Sequence, residues 1–186
     1  FIIGQYLKSP PPKLAKPSFS PERKPRNHLK GAKMENLNAE QVIDILDNDF
    51  YKGDISDKKT LEDFAKKVVD KYGRVDYLIN NAPPISVGIE NGSYEEFEYA
   101  LRVGITAPFY LSKLFMPYFS KGSAIVNISS SRDRMSQPQT ESYTAAKGGI
   151  SALTHALSVS FAGKVRVNSI SPGWIDLHCH GAGGHE

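Results

Sequence analysis

Short apolar runs that each stop at polar or turn residues, separated by helical periodicity, constrain this chain more than any other feature. Val75-Asp-Tyr-Leu-Ile ends at the pair Asn80-Asn81, Ala124–Ile128 ends in Ser129, Ser130 and Ser131, and the run from Val165 ends at Pro172-Gly173. Ala124–Ile128 is mostly apolar, the pattern of a strand covered on both faces of a parallel sheet. Leu61, Phe64, Ala65, Val68, Val69 and Tyr72 repeat at helical spacing; Asp57 is the predicted N-cap and Gly73 the predicted stop. A second helix is predicted from Ser93, where Glu96 completes a capping box, through Leu101 and Leu111 towards Met116, with Gly104 and Pro108 as weak points. A third is predicted over roughly Ser142 to Phe161, with Ile150, Leu153, Leu157 and Phe161 as its apolar stripe and His155 as a packing or surface residue. Strand and helix in alternation imply parallel βαβ units and an α/β fold.

Open α/β sheets bind ligands beyond the carboxyl ends of their strands, so the residues there are candidates for chemistry. Tyr143-Thr-Ala-Ala-Lys147 places a phenol and an ammonium four residues apart, on one face of the third helix. A cation beside a tyrosine favours the phenolate, which suits proton exchange with an alcohol or carbonyl. The pair says little alone, because ordinary helix surfaces supply many such spacings. Ser130 lies thirteen positions before Tyr143. Ser129 and Ser131 read as hydroxyls capping local backbone, and Ser130 fits either that role or a contact to substrate.

With these elements in place, the sequence resembles the short-chain dehydrogenase/reductase family. The resemblance rests on Gly53-Asp-Ile-Ser-Asp57, Asn80-Asn-Ala-Pro83, Ile125-Val-Asn-Ile-Ser-Ser130, Tyr143-Thr-Ala-Ala-Lys147 and Ser171-Pro-Gly173, in that order, over roughly residues 50 to 176. It implies a Rossmann-type doubly wound parallel sheet, here missing or disordered in its first βαβ unit and its C-terminal strand. It implies an NAD(P)-dependent oxidoreductase, using NAD or NADP, that moves a hydride between cofactor and a small alcohol or carbonyl substrate. By the same resemblance, Tyr143 is the proton donor and acceptor, Lys147 tunes it and holds the nicotinamide ribose, and Ser130 binds the substrate oxygen where charge develops. Asp54 and Ile55 correspond to the adenine contacts, Asn81 and Ala82 to the wall beside the adenosine ribose, and Ile175 to the backbone contact of the carboxamide. Asp54 equally suits turn and helix-start chemistry; Asn80 reads as a tie between strands. The small residues Ala145, Ala146, Gly148 and Gly149 would admit another helix closely, and the family pairs such helices between subunits, implying a homodimer or homotetramer.

Three departures stand against the pattern. Gly104 occupies the place of the family's catalytic asparagine, so no side chain there holds a proton relay to Lys147. A glycine also costs about 1 kcal/mol relative to alanine inside a helix. Pro83 replaces the glycine that closes the asparagine motif. Residues 1–50 hold only Gly4 and Gly31, with no Thr-Gly-x-x-x-Gly-x-Gly to cradle a pyrophosphate at a helix N-terminus. The competing expectation is therefore a catalytically impaired remnant or non-enzymatic scaffold.

Composition explains the ends rather than the fold. Residues 1–33 carry eight Lys/Arg against Glu22, a net +7, which leaves −4 for the rest of a chain whose total is +3. Half of the twelve prolines precede residue 26. The organisation expected is a basic, Pro-rich segment over 1–30, a partial Rossmann-type domain over 31–178 and a Gly/His tail over 179–186, with 9–27 extended as a solvated tail. Codons allowed by Lys13–Ser18 and Cys179–Glu186 include shifted readings that resemble family sequence, which the gene's nucleotides test. His178, Cys179, His180 and His185 lack a spacing that frames a metal, so no metal site is expected. One cysteine and no apolar run near the roughly 18 residues of a membrane span point to a cytoplasmic protein with neither membrane nor nucleic-acid partners.

Overall fold

The computed structural model describes residues 50–174. The expected boundaries at 30/31 and 178/179, Ile175 and the histidine-bearing tail lie outside the described residues. From Gly53 onward the elements are helix α1 (Lys58–Tyr72), strand β1 (Val75–Asn80), helix α2 (Tyr94–Leu101), a π-helical turn (Arg102–Thr106), helix α3 (Ala107–Phe115), strand β2 (Phe119–Ile128), helix α4 (Glu141–Ser160) and strand β3 (Val165–Ile170). The three strands are parallel in the order β1-β2-β3, the βαβ arrangement that the alternation implies.

The helix ends form for the reasons their residues suggest. Asp57 accepts hydrogen bonds from the backbone N–H groups of Lys59 and Thr60, and Gly73 closes α1 at φ 70°, the left-handed conformation glycine adopts without strain. Ser93 and Glu96 form the capping box of α2. Leu61, Phe64, Ala65 and Val68 turn α1 inward, where Phe64 meets Phe115 edge to face at 6.1 Å. Helix α1 packs on α3, and the α2–π turn–α3 segment packs on α4, so the helices form one layer. On α4 the buried residues are Ser142, Ala146, Lys147, Ile150, Thr154 and Leu157; Leu153 is only half-buried, and His155 is exposed.

Two features differ from expectation. Strand β2 begins at Phe119, five residues before the predicted start. Gly122 at φ 84° and a register shift between Val75 and Tyr77 absorb the irregular first half. The predicted second helix is not continuous: its middle is the π turn, with Gly104 at its centre. Register then brings the strand ends level. Asn80 pairs with Asn127 and Ile128 with Ile170, so the segments after all three strands emerge at one sheet edge. No helix among the described residues is long and apolar enough to cross a membrane.

Candidate active site

At that edge a buried polar chain joins sheet to helix. Thr154 Oγ1 donates to the Ile150 carbonyl (2.7 Å), which can only accept. Thr154 must then accept from Asn127 Nδ2 (2.8 Å), and Asn127 Oδ1 accepts from Asn80 Nδ2 (2.7 Å). The helix carbonyl thus fixes both amide orientations. Asn80 does tie strands together, and it presents Oδ1 as a buried acceptor with no protein donor among the described residues. Asn80, Ile55, Ala82, Gly104, Ile128 and Lys147 are among the residues lining a cavity of about 10 Å³, room for about one water molecule.

Lys147 is 4% exposed. Its ammonium donates to the Ile128 carbonyl (2.6 Å) and lies 5.5 Å from the centroid of the Tyr143 ring. Burial lowers its pKa to about 8. Tyr143 is partly exposed. Ser130, two residues past the carbonyl that holds Lys147, caps a short 3₁₀ turn (Ser131–Asp133): its Oγ accepts from the Arg132 N–H at 3.2 Å. The capping role is present, and the Ser130 O–H has no protein acceptor among the described residues, so it remains free to donate to a substrate oxygen. The two roles are compatible.

Ser129 differs from its predicted local role. Its Oγ lies 2.9 Å from the Lys147 carbonyl and 2.8 Å from Ser151 Oγ, so it binds the end of β2 to helix α4. Asp54 shows turn chemistry: it accepts from the Ser56 N–H (2.8 Å) and, at 3.4 Å, from the Tyr99 hydroxyl. Asp54 and Asn81 are exposed, while Ile55 and Ala82 reach the cavity with Lys147.

Sequence reasoning missed Asp133. Its side chain is 5% exposed, and Oδ2 accepts from Ser151 Oγ (2.8 Å) and Ser171 Oγ (3.1 Å) while Oδ1 accepts from Arg134 Nε (3.3 Å). Burial pushes its pKa up, but these donors outweigh burial and hold it below the ordinary value. One carboxylate therefore joins the turn after β2, helix α4 and the segment after β3. No local sequence signal marks such a knot, because its members are far apart in the chain.

Gly104 also has a different meaning from the one its helix propensity suggests. A Cβ there would lie 2.7 Å from the Ala146 Cβ, too close to coexist. Gly149 likewise faces Ile105. Two of the four small residues expected at a subunit contact are thus used inside the chain, letting the π turn approach α4 beside Lys147. Gly104→Ala is expected to destabilise the protein by about 1–3 kcal/mol through overpacking, even though alanine favours helix by up to about 1 kcal/mol. Adding Ala146→Gly should recover most of the loss. Denaturant unfolding of the single and double variants checks both.

Comparison with known proteins bears on the family and the fold. A family model described as Enoyl-(Acyl carrier protein) reductase matches residues 29–184. An uncharacterized oxidoreductase of Thermotoga maritima is 41% identical over 150 residues, 78% of this chain and 57% of the relative. The chain belongs to the short-chain dehydrogenase/reductase family. Among solved short-chain dehydrogenase/reductase structures, an apo SCOR enzyme from Clostridium thermocellum is 44% identical with a TM-score of 0.64, covering 68% of this chain and 53% of that one. The ligand-free aldohexose dehydrogenase of Thermoplasma acidophilum is 28% identical with a TM-score of 0.64, covering 68% and 51%. The chain spans about half the length of the curated relatives it matches. Its fold is the family's parallel sheet with flanking helices, and the curated relatives it matches are named oxidoreductases, reductases or dehydrogenases.

Proposed function

We propose that this chain carries the acid–base half of an NAD(P)-dependent hydride transfer between an alcohol and a carbonyl, with Tyr143 as proton donor and acceptor. The observation that carries this reading is the Lys147 ammonium, buried, anchored on the Ile128 carbonyl and 5.5 Å from the Tyr143 ring. A fixed positive charge in a low-dielectric site stabilises negative charge on a neighbouring oxygen more than it could in water. When Tyr143 gives its proton to a carbonyl oxygen, or takes one from an alcohol, that charge develops beside Lys147. The Ser130 O–H donates to the same substrate oxygen and orients it.

The residues fit the ribose and nicotinamide end of the cofactor. Lys147 offers two further N–H donors, and Asn80 Oδ1 offers a buried acceptor in the adjoining cavity. Bound there, the nicotinamide supplies or receives the hydride. Ile55, Ala82, Asp54, Asn81 and Ile175 belong to the same proposal as its adenosine and carboxamide contacts. A glycine-rich diphosphate cradle is not among the described residues.

Cofactor binding tests the reading directly. NADH or NADPH is expected to show enhanced, blue-shifted fluorescence on titration with the full chain and to raise its melting temperature. Absence of both effects at millimolar cofactor would sink the enzymatic reading for this polypeptide and favour a scaffold.

A further inference from the structure

The turn after β2 and the segment after β3 carry a cation and an indole that the acid–base machinery does not use. Arg132 is half-buried, two residues beyond Ser130, and its guanidinium carbon sits 5.8 Å from the centroid of the Trp174 ring. Trp174 is 89% exposed, so its outer face is open. Among the described residues the Arg132 guanidinium makes no hydrogen bond or ion pair. The carboxylate next to it in sequence is already taken: Asp133 accepts from Ser151, Ser171 and Arg134. Arg134 is 83% exposed and offsets the Asp133 charge, leaving the charge of Arg132 uncompensated beside the site.

The pair is also preorganised. Asp133 grips Ser171, three residues before Trp174, and the Ser131 N–H donates to the Pro172 carbonyl at 2.9 Å. The turn is therefore fastened, at the residues on either side of Arg132, to the segment that leads into Trp174. A guanidinium placed over an indole keeps N–H donors for a ligand, and its fork of donors matches the paired oxygens of a carboxylate or phosphate.

We propose that Arg132, held over Trp174, binds the oxyanion of a substrate that carries a carboxylate or phosphate as well as the reacting carbonyl or alcohol. Ser130 and Tyr143 engage the reacting oxygen, and Arg132 engages the charged end. This rests on the proposed function for its turnover but not for its binding.

Trp174 is the only tryptophan in the chain, so its emission reports ligand binding beside Arg132. The full-length protein is titrated with acetoacetate and its uncharged methyl ester, and with dihydroxyacetone phosphate and dihydroxyacetone. Each charged probe is expected to give a saturable change in tryptophan emission at concentrations where its neutral counterpart gives little. The stronger charged probe separates carboxylate from phosphate as the preferred group. Arg132→Gln should weaken the preferred charged probe by about tenfold or more, the loss of a charge-assisted pair, and leave the neutral probes unchanged. Arg132→Lys should restore part of the binding. Equal response to charged and neutral probes overturns the proposal, as does a folded Arg132→Gln variant that binds the charged probe as tightly as the parent. So does binding of acetate or inorganic phosphate as tight as that of the oxo compounds, because the carbonyl would then contribute nothing. Retained Arg132-dependent binding without any cofactor binding refutes the proposed enzymatic function alone. Turnover of neutral substrates without Arg132-dependent binding refutes this inference alone.

Discussion

Replacing Tyr143 by phenylalanine is expected to lower turnover by about 10²–10⁴-fold, the usual contribution of a positioned general acid, with little change in stability. The two halves of this expectation have separate causes. Phenylalanine keeps the ring that sits 5.5 Å from the Lys147 ammonium, so the cation–π contact and the packing of α4 survive. The hydroxyl that is lost has no protein partner among the described residues, and its removal leaves no buried group unpaired. A stability change within about 0.5 kcal/mol is therefore expected, as for other substitutions outside such networks. Turnover assays with NAD and NADP, alongside thermal unfolding, separate the effects. A variant that folds normally and keeps the parent's turnover would refute the proton-transfer role. Equal losses of activity and stability would point to a packing role instead.

The sequence made the strand ends legible because each apolar run stops where covered sheet gives way to solvent. Asn80-Asn81, Ser129–Ser131 and Pro172-Gly173 mark those stops, and the parallel register then brings them to one edge. The Tyr143–Lys147 pair was legible for a related reason: helical spacing alone places both side chains on one face. Features built from distant segments were not. The Asp133 knot needs Ser151 and Ser171 as partners, and no window of sequence contains all three. The π turn was hidden because Arg102–Thr106 continues the helical pattern on either side, while the residue its central glycine packs against, Ala146, lies 42 positions away. Helix propensity made Gly104 a weakness; the packing against Ala146 makes it a requirement. Ser129 was misread for the same reason, since its partners lie on α4 rather than in its own turn.

Lys147 should make stability rise with pH where most lysines make it fall. Its folded pKa is lowered from 10.5 to about 8 by burial. Below pH 8 it is protonated both folded and unfolded, and the full cost of burying the ammonium is present. Between pH 8 and 10.5 the unfolded chain still holds the proton and the folded chain does not, so the unfolded state binds more protons and stability increases with pH. The difference of about 2.5 pKa units corresponds to about 3 kcal/mol. In Lys147→Met this dependence vanishes. The variant loses the bond to the Ile128 carbonyl, which offsets its stability by a constant, but not the slope. Denaturant unfolding at pH 7 and pH 10.5 should therefore show the parent gaining about 3 kcal/mol relative to the variant. Parallel pH profiles would mean that Lys147 is not desolvated as its burial requires. The same titration sets the direction for catalysis. The charge that Tyr143 needs beside it is present below about pH 8 and lost above it, so a Lys147-dependent reaction should decline on the alkaline side as the protein becomes more stable. Lys147→Met should be weakly active throughout, without that alkaline decline. This is the expected signature of a site that keeps an unfavourably buried charge because the chemistry uses it.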